Sequence, residues 1–222
     1  MNFIYIFIFF ICLTILFKHI ENNAYDVVYV KASNNKDYLV RNLPDKESAA
    51  TLLGQINDKL DTLIEYIKQK DTFDMYKLYV IKNNDIKLEK LSKTQIKEYQ
   101  IFKDDIKRII RNYNTNALSE NTPDSSYTSY SENKGQKIVF CIRSKKTNKL
   151  VKLNTMMFVA LHEMAHLMTK TIGHNPEFWE NFRILLRISI RNNIYNCQDY
   201  QIESEDYCGT KITDTPLKCG DV

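Results

Sequence analysis

The HExxH pattern at residues 162–166 constrains this 222-residue chain more than any other part of its sequence. It lies in an apolar stretch with helical character, so we predict one helix across the motif. Residues four apart on a helix face the same side, and His162 and His166 can therefore bind one metal ion from adjacent turns. Glu163 is offset by one residue, where it can take a proton from a metal-activated water without binding the metal.

A catalytic zinc ion needs three protein ligands and one open position, and His174 is the candidate for the third ligand. Gly173 allows the chain to reverse after the helix, and the seven residues that separate His166 from His174 leave room for that turn. The chain has only four histidines, and three of them fall within 13 residues. A histidine after a glycine can also simply cap a helix, in which case Glu177 and Glu180 are the alternative ligands.

The segment at 161–182 resembles the SprT-like, WLM and YgjP-type zinc metallopeptidases. In those families an HExxH helix is followed by a histidine that opens a second helix, and here that element reads HNPEFW at 174–179. The loop before the third histidine is a little longer here than is usual in those families. The resemblance implies a zincin-like fold with one catalytic Zn²⁺. It also implies three metal ligands and one general base, namely His162, His166, His174 and Glu163.

A wider stretch, from Ser126 through Gly209, also resembles uncharacterised metallopeptidase-like proteins of large DNA viruses. The shared markers are short: NKG at 133–135, VFCIR at 139–143 and YCG at 207–209. This resemblance implies that the chain is a viral protein.

The N-terminus carries an apolar run over residues 3–17 that is interrupted only by Thr14 and ends at Lys18. A helix that spans a membrane needs about 20 residues, and the flanking residues bring this segment close to that length. We therefore expect residues 1–20 to form a single-pass membrane anchor, in a virion or host membrane if the chain is viral. A cleaved signal sequence and a buried core helix are the alternatives, and the orientation stays open.

The composition indicates a globular protein, with 44% hydrophobic and 26% charged residues and a net charge of +4. Because the basic residues are spread along the chain, we expect no nucleic-acid partner. The expected partners are a protein or peptide substrate and the membrane; the sequence leaves the oligomeric state open. These features predict a membrane-anchored zinc metalloendopeptidase. The alternatives are a non-catalytic zinc-binding structural or interaction protein and a DNA-associated protease of the SprT/WLM type.

The predicted fold class is α+β, a small sheet with the HExxH helix packed across it. We divide the chain into an anchor at 1–20, a helical and strand-containing part at 21–120, and a metallopeptidase core with an irregular tail at 121–222. Hydrophobic periodicity predicts strands and helices within these parts. The strands are 25–31, 37–41 and 136–143, and the helices are 46–69, 94–112, 155–171 with Asn154 as its N-cap, and 175–191. Residues 114–135 read as a long polar loop, and residues 73–81 fit strand and helix equally.

Three further features bear on chemistry. We expect the strand at 136–143 to line the cleft and to offer its free edge to an extended peptide. The oxyanion formed on an attacked carbonyl needs a hydrogen-bond donor, and the candidates are Tyr127, Tyr130, Arg143, Tyr200 and Tyr207. Four cysteines could form two disulfides or stay reduced, and the sequence leaves both open: Cys141, Cys197, Cys208 and Cys219.

Overall fold

The computed structural model describes residues 2–23, 26–122 and 124–221. The chain is α+β with a mixed sheet. The α-helices are α1 (Asn2–Asn23), α2 (Lys46–Gln69), α3 (Thr72–Met75), α4 (Lys93–Asn112), α5 (Leu153–Met168) and α6 (Pro176–Arg191). The strands are β1 (Val27–Lys31), β2 (Asp37–Arg41), β3 (Leu118–Glu120), β4 (Ser129–Glu132), β5 (Lys137–Phe140), β6 (Glu205–Tyr207) and β7 (Thr210–Ile212). A π-helical turn (Tyr76–Ile81) continues α3, and 3₁₀ turns lie at Leu88–Lys90 and Cys219–Asp221.

The main sheet has the strand order β1-β2-β3-β5-β4. Strands β2, β3 and β5 run parallel, whereas β1 and β4 pair antiparallel with their neighbours. The predicted loop at 114–135 thus contains two strands, and β5 pairs on both sides. The expectation that the strand at 136–143 offers a free edge is therefore wrong, because β4 is the terminal strand.

The HExxH helix α5 lies at the centre of one hydrophobic core, in contact with α2, α4, α6 and β4. Twelve of its 16 residues are buried, so its position is fixed from several sides. It ends at Met168 rather than near Thr171, and Gly173, with φ +88°, lies in the following loop. Lys152 stands at its N-cap position, while the Asn154 side chain exchanges hydrogen bonds with the backbone of Asn196.

The N-terminal helix α1 contains the predicted anchor, but its apolar part is short. The run of fifteen residues at 3–17, polar only at Thr14, spans about 22 Å at about 1.5 Å per residue, whereas the hydrocarbon core of a bilayer is about 30 Å thick. Among the helices in the described residues, none has both the length and the apolar character needed to cross a membrane. The predicted single-pass anchor and the predicted membrane location are therefore wrong.

The C-terminal tail is ordered by two disulfides, where the sequence predicted only irregular structure. Cys141, directly after β5, pairs with Cys208 in the turn of the β6–β7 hairpin. Cys197, in the segment after α6, pairs with Cys219 in the last 3₁₀ turn. The sequence left open whether the four cysteines are paired or reduced. They form two disulfides, which hold the tail on the core.

A buried ion cluster joins the sheet to the start of α2. The Arg143 Nε donates to Glu120 Oε1 at 2.8 Å, and its Nη1 donates to Asp45 Oδ2 at 2.6 Å. The second Glu120 oxygen accepts the backbone N–H of Arg41 at 2.8 Å. Asp45 occupies the N-cap position of α2, but its carboxylate binds Arg143, and this hydrogen bond lowers the pKa of Asp45.

Candidate metal centre

The three predicted histidines converge on one point. His162 and His166 project from adjacent turns of α5, and His174 comes from the loop directly before α6. The Nε2 atoms of His174 and His162 lie 3.0 Å apart, and one potential ligand nitrogen from each ring lies within 4.8 Å of the others. The three ring centroids form a nearly equilateral triangle with sides of 5.0, 4.9 and 4.9 Å.

The ring of Phe178 packs against all three imidazoles. Phe178 belongs to the first turn of α6, is fully buried, and its ring centroid lies 4.9, 4.4 and 4.7 Å from those of His162, His166 and His174. The start of α6 that places it is fixed locally, because Asn175 accepts the Phe178 backbone N–H and Pro176 follows the cap. The sequence contains Phe178 within the HNPEFW element at 174–179, but nothing in the sequence shows that its ring packs on all three histidines.

This donor set fits zinc. Two nitrogens bound at about 2.0–2.1 Å in a tetrahedral site lie roughly 3.3 Å apart, close to the 3.0 Å between His162 and His174. The alternative ligands lie outside the cluster. Glu177 accepts hydrogen bonds from the Lys170 backbone N–H and the Thr171 hydroxyl, and Glu180 forms an ion pair with Arg183. If the three histidines held a zinc ion, neither of these glutamates would supply a fourth ligand.

The electrostatics of the site follow from burial. Burial, together with the neighbouring His166 and His174, lowers the pKa of His162 to about 3. Burial also lowers the pKa of His166 to about 4, with His174 as the next cause. Both rings are thus neutral near pH 7 and present lone pairs, as metal ligation requires. Glu163 is only 4% exposed, and burial raises its pKa to about 7.

The histidines open into a cleft of about 720 Å³. Its walls are β4, the middle and C-terminal turns of α5, the loop before His174, and the β6–β7 hairpin. They are lined in particular by Tyr130, Phe158, Val159, Ile172, Tyr207 and Ile212. Another cavity, of about 920 Å³, lies between α4 and α6 and is lined by charges of both signs, but it does not include the histidines.

The five candidate oxyanion donors do not lie together, and two of them line the cleft. Tyr130 and Tyr207 line the cleft, and Tyr127 is exposed and packs on Tyr130. Tyr200 is buried against Phe158, and Arg143 belongs to the ion cluster described above. The Tyr207 hydroxyl shares a hydrogen bond with Ser129 of β4. Burial raises the pKa of Tyr207, and the charge of Glu163 raises it further.

The chain is similar to uncharacterised viral proteins, as the sequence predicted. It is 36% identical over 192 residues to the uncharacterised protein R325 of Acanthamoeba polyphaga mimivirus, covering 86% of this chain and 84% of that protein. It is also 38% identical over 69 residues to the uncharacterised protein 042R of Invertebrate iridescent virus 3, and 35% identical over 75 residues to protein 136R of Invertebrate iridescent virus 6. These two matches cover 42% of each relative and 31% and 33% of this chain.

No family model matches the chain, and no solved structure matches it. The zincin-like part of the predicted fold class therefore has no counterpart among solved structures, and the α+β description with a mixed sheet replaces it.

Proposed function

The chain belongs to the same family as the uncharacterised mimivirus protein R325, and we propose that it is a zinc-dependent metallopeptidase. One observation carries this proposal: three imidazoles meet beside a buried carboxylate at the base of an open cleft. The resemblance of residues 161–182 to the SprT-like, WLM and YgjP-type peptidases supports it independently of the geometry.

The roles of the side chains follow from their positions. His162, His166 and His174 would hold the ion, which when bound polarises a carbonyl and makes a water acidic enough to react near pH 7. Glu163, next to His162 and enclosed in the core, would be the base that takes the proton of such a water. The same carboxyl then returns the proton to the amide nitrogen that leaves, so that the peptide bond is hydrolysed with no net change in Glu163.

The cleft suits an extended peptide. Strand β4 is the terminal strand of the sheet and lines the cleft, so a peptide can add to it through main-chain hydrogen bonds. The apolar lining on either side of β4, including Phe158, Val159 and Ile212, favours large apolar side chains in the substrate. Tyr207 lies on the hairpin wall, near enough to Glu163 to respond to its charge, and contributes to the shape of this surface.

A purely structural zinc site is the alternative interpretation of the same residues, and it fits them less well than a catalytic site. Structural zinc sites use four protein ligands and commonly include thiolates. Here Cys141 pairs with Cys208 and Cys197 with Cys219, so none of these four cysteines supplies a thiolate. A structural site also has no use for Glu163, a carboxylate buried beside the ligands.

The proposal is tested by cleavage of a peptide library with the purified chain loaded with zinc. We expect cleavage that stops when a chelator is added and returns with zinc. We expect the Glu163→Gln variant to bind zinc as the unmodified chain does but to lose cleavage by at least about a hundredfold, the usual range for a general base. Zinc binding without cleavage in the unmodified chain would instead support the non-catalytic zinc protein.

A further inference from the structure

The loop over residues 169–173 places His174, yet little apolar packing holds it. Ile172 in this loop is 91% exposed, and a side chain on Gly173 would meet no heavy atom within 4 Å. Since a loop without buried apolar contacts opens easily, its polar contacts must keep His174 near the other two histidines. The side chains that form these hydrogen bonds with the loop therefore hold the third ligand in place.

Lys134 supplies two of these contacts from across the cleft, and a third to the end of α5. Its Nζ donates to the backbone carbonyls of His166, Thr169 and Thr171, at 3.4, 3.0 and 3.1 Å. One ammonium thus joins the end of α5, where the second histidine lies, to the loop that leads to the third. From the other side, Glu177 accepts the backbone N–H of Lys170 and so holds the same loop.

The turn that carries Lys134 is itself fixed. Asn133, Lys134 and Gly135 all have positive φ, at +47°, +56° and +102°, in the turn between β4 and β5. Gly135 packs so closely that an added Cβ would lie 2.4 Å from the Asn112 carbonyl oxygen and 2.8 Å from Leu167 Cδ2. The backbone of the turn therefore packs directly against α4 and α5, and Lys134 reaches the loop from this closely packed turn.

We propose that Lys134 is a positioning residue for the metal centre, which fixes His174 by holding the loop before it. The inference rests on the proposed function, because it assigns Lys134 a role only if the three histidines bind an ion. It also links the two halves of the cleft, since the turn of Lys134 continues β4, the strand proposed to bind the peptide.

Asn112 provides a matched control within the same structure. Its Nδ2 donates to the carbonyl of Leu167 at 3.1 Å, and Arg108 Nη1 donates to that of Met168 at 2.6 Å. Both side chains satisfy carbonyls at the end of α5, as Lys134 does, but neither donates to the loop carbonyls of Thr169 or Thr171. Loss of Asn112 therefore removes a hydrogen bond at the helix end without releasing the loop.

The test compares the zinc affinity of Lys134→Met, Lys134→Gln and Asn112→Ala by competition with a chelator of known affinity. We expect the two Lys134 variants to bind zinc about 10- to 100-fold more weakly, the range for residues that orient metal ligands, and Asn112→Ala to change by less than about threefold. Lys134→Arg, which keeps a cationic donor, should recover most of the affinity. The Co²⁺-loaded Lys134→Met protein should have an altered visible absorption spectrum, a readout that a loss of stability alone does not change.

The outcomes separate the two proposals. If the unmodified chain binds zinc and the folded Lys134 variants bind it equally well, Lys134 does not position the site and the proposed function stands. If Asn112→Ala weakens binding as much as Lys134→Met, the effect comes from the helix end and the inference is overturned. If the unmodified chain binds no zinc, both proposals fail together. Should Lys134→Met not fold, Lys134→Gln and Lys134→Arg decide the question.

Discussion

The disulfide between Cys141 and Cys208 should matter both for stability and for the cleft. It joins residues 67 positions apart, whereas Cys197 and Cys219 are 22 apart. In the loop-entropy description, the longer bridge contributes about 4 kcal/mol to the free energy of unfolding and the shorter about 3 kcal/mol. The longer bridge also holds the hairpin that carries Tyr207 and Ile212, two residues of the cleft wall.

Two double variants separate these effects, with Cys141→Ala and Cys208→Ala in one and Cys197→Ala and Cys219→Ala in the other. We expect both variants to unfold at a lower urea concentration than the unmodified chain. The loss in the free energy of unfolding should be about 1 kcal/mol larger in the first variant than in the second. We expect peptide cleavage to fall about tenfold or more only in the first, because its cleft wall is released. Fluorescence of Trp179, the single tryptophan, reports unfolding. Equal losses of cleavage in both variants, or a larger loss of stability in the second, would refute this reasoning.

Three further results are expected. Gly135→Ala should lower the free energy of unfolding by about 2–4 kcal/mol, because φ is +102° and the new methyl group would overlap the carbonyl of Asn112; a change in urea midpoint near zero would contradict the geometry. Arg143→Met should cost about 3–5 kcal/mol by leaving the Glu120 carboxylate buried and unpaired, and replacing Glu120 with leucine as well should restore part of this loss in the same urea assay. Substrates with large apolar side chains should be cleaved fastest, and Ile212→Lys should weaken that preference in a competition between peptide pools; an unchanged preference would place the specificity elsewhere.

The elements that could be predicted from the sequence are those with their own hydrophobic period. The helix predicted at 46–69 has the observed bounds of α2, and the helix predicted at 175–191 begins one residue before α6. The short polar strands could not be predicted in this way. Strand β4 reads Ser-Tyr-Ser-Glu and exists because β5 pairs with it, and the β6–β7 hairpin is held by a disulfide that no local pattern indicates.

The residues of the site likewise fall into two groups, those that the sequence indicated and those that it did not. The spacing of His162, His166 and His174 indicated a common ion, because helical geometry and one reversal of the chain suffice to bring them together. The residues that hold the histidines in place were not visible, since Phe178 looks like any core residue and Lys134 like any surface lysine in a turn. The apolar N-terminal run misled the prediction because its polar flanks were counted as part of a span.

Zinc K-edge X-ray absorption on the purified, zinc-loaded chain tests the central claim most directly. The account predicts one ion with three imidazole nitrogens at about 2.0–2.1 Å and one oxygen that comes from no protein side chain. It predicts loss of one imidazole from the spectrum of His174→Ala. Two imidazoles in the unmodified chain, or a fourth ligand from the protein, would contradict the proposed catalytic centre.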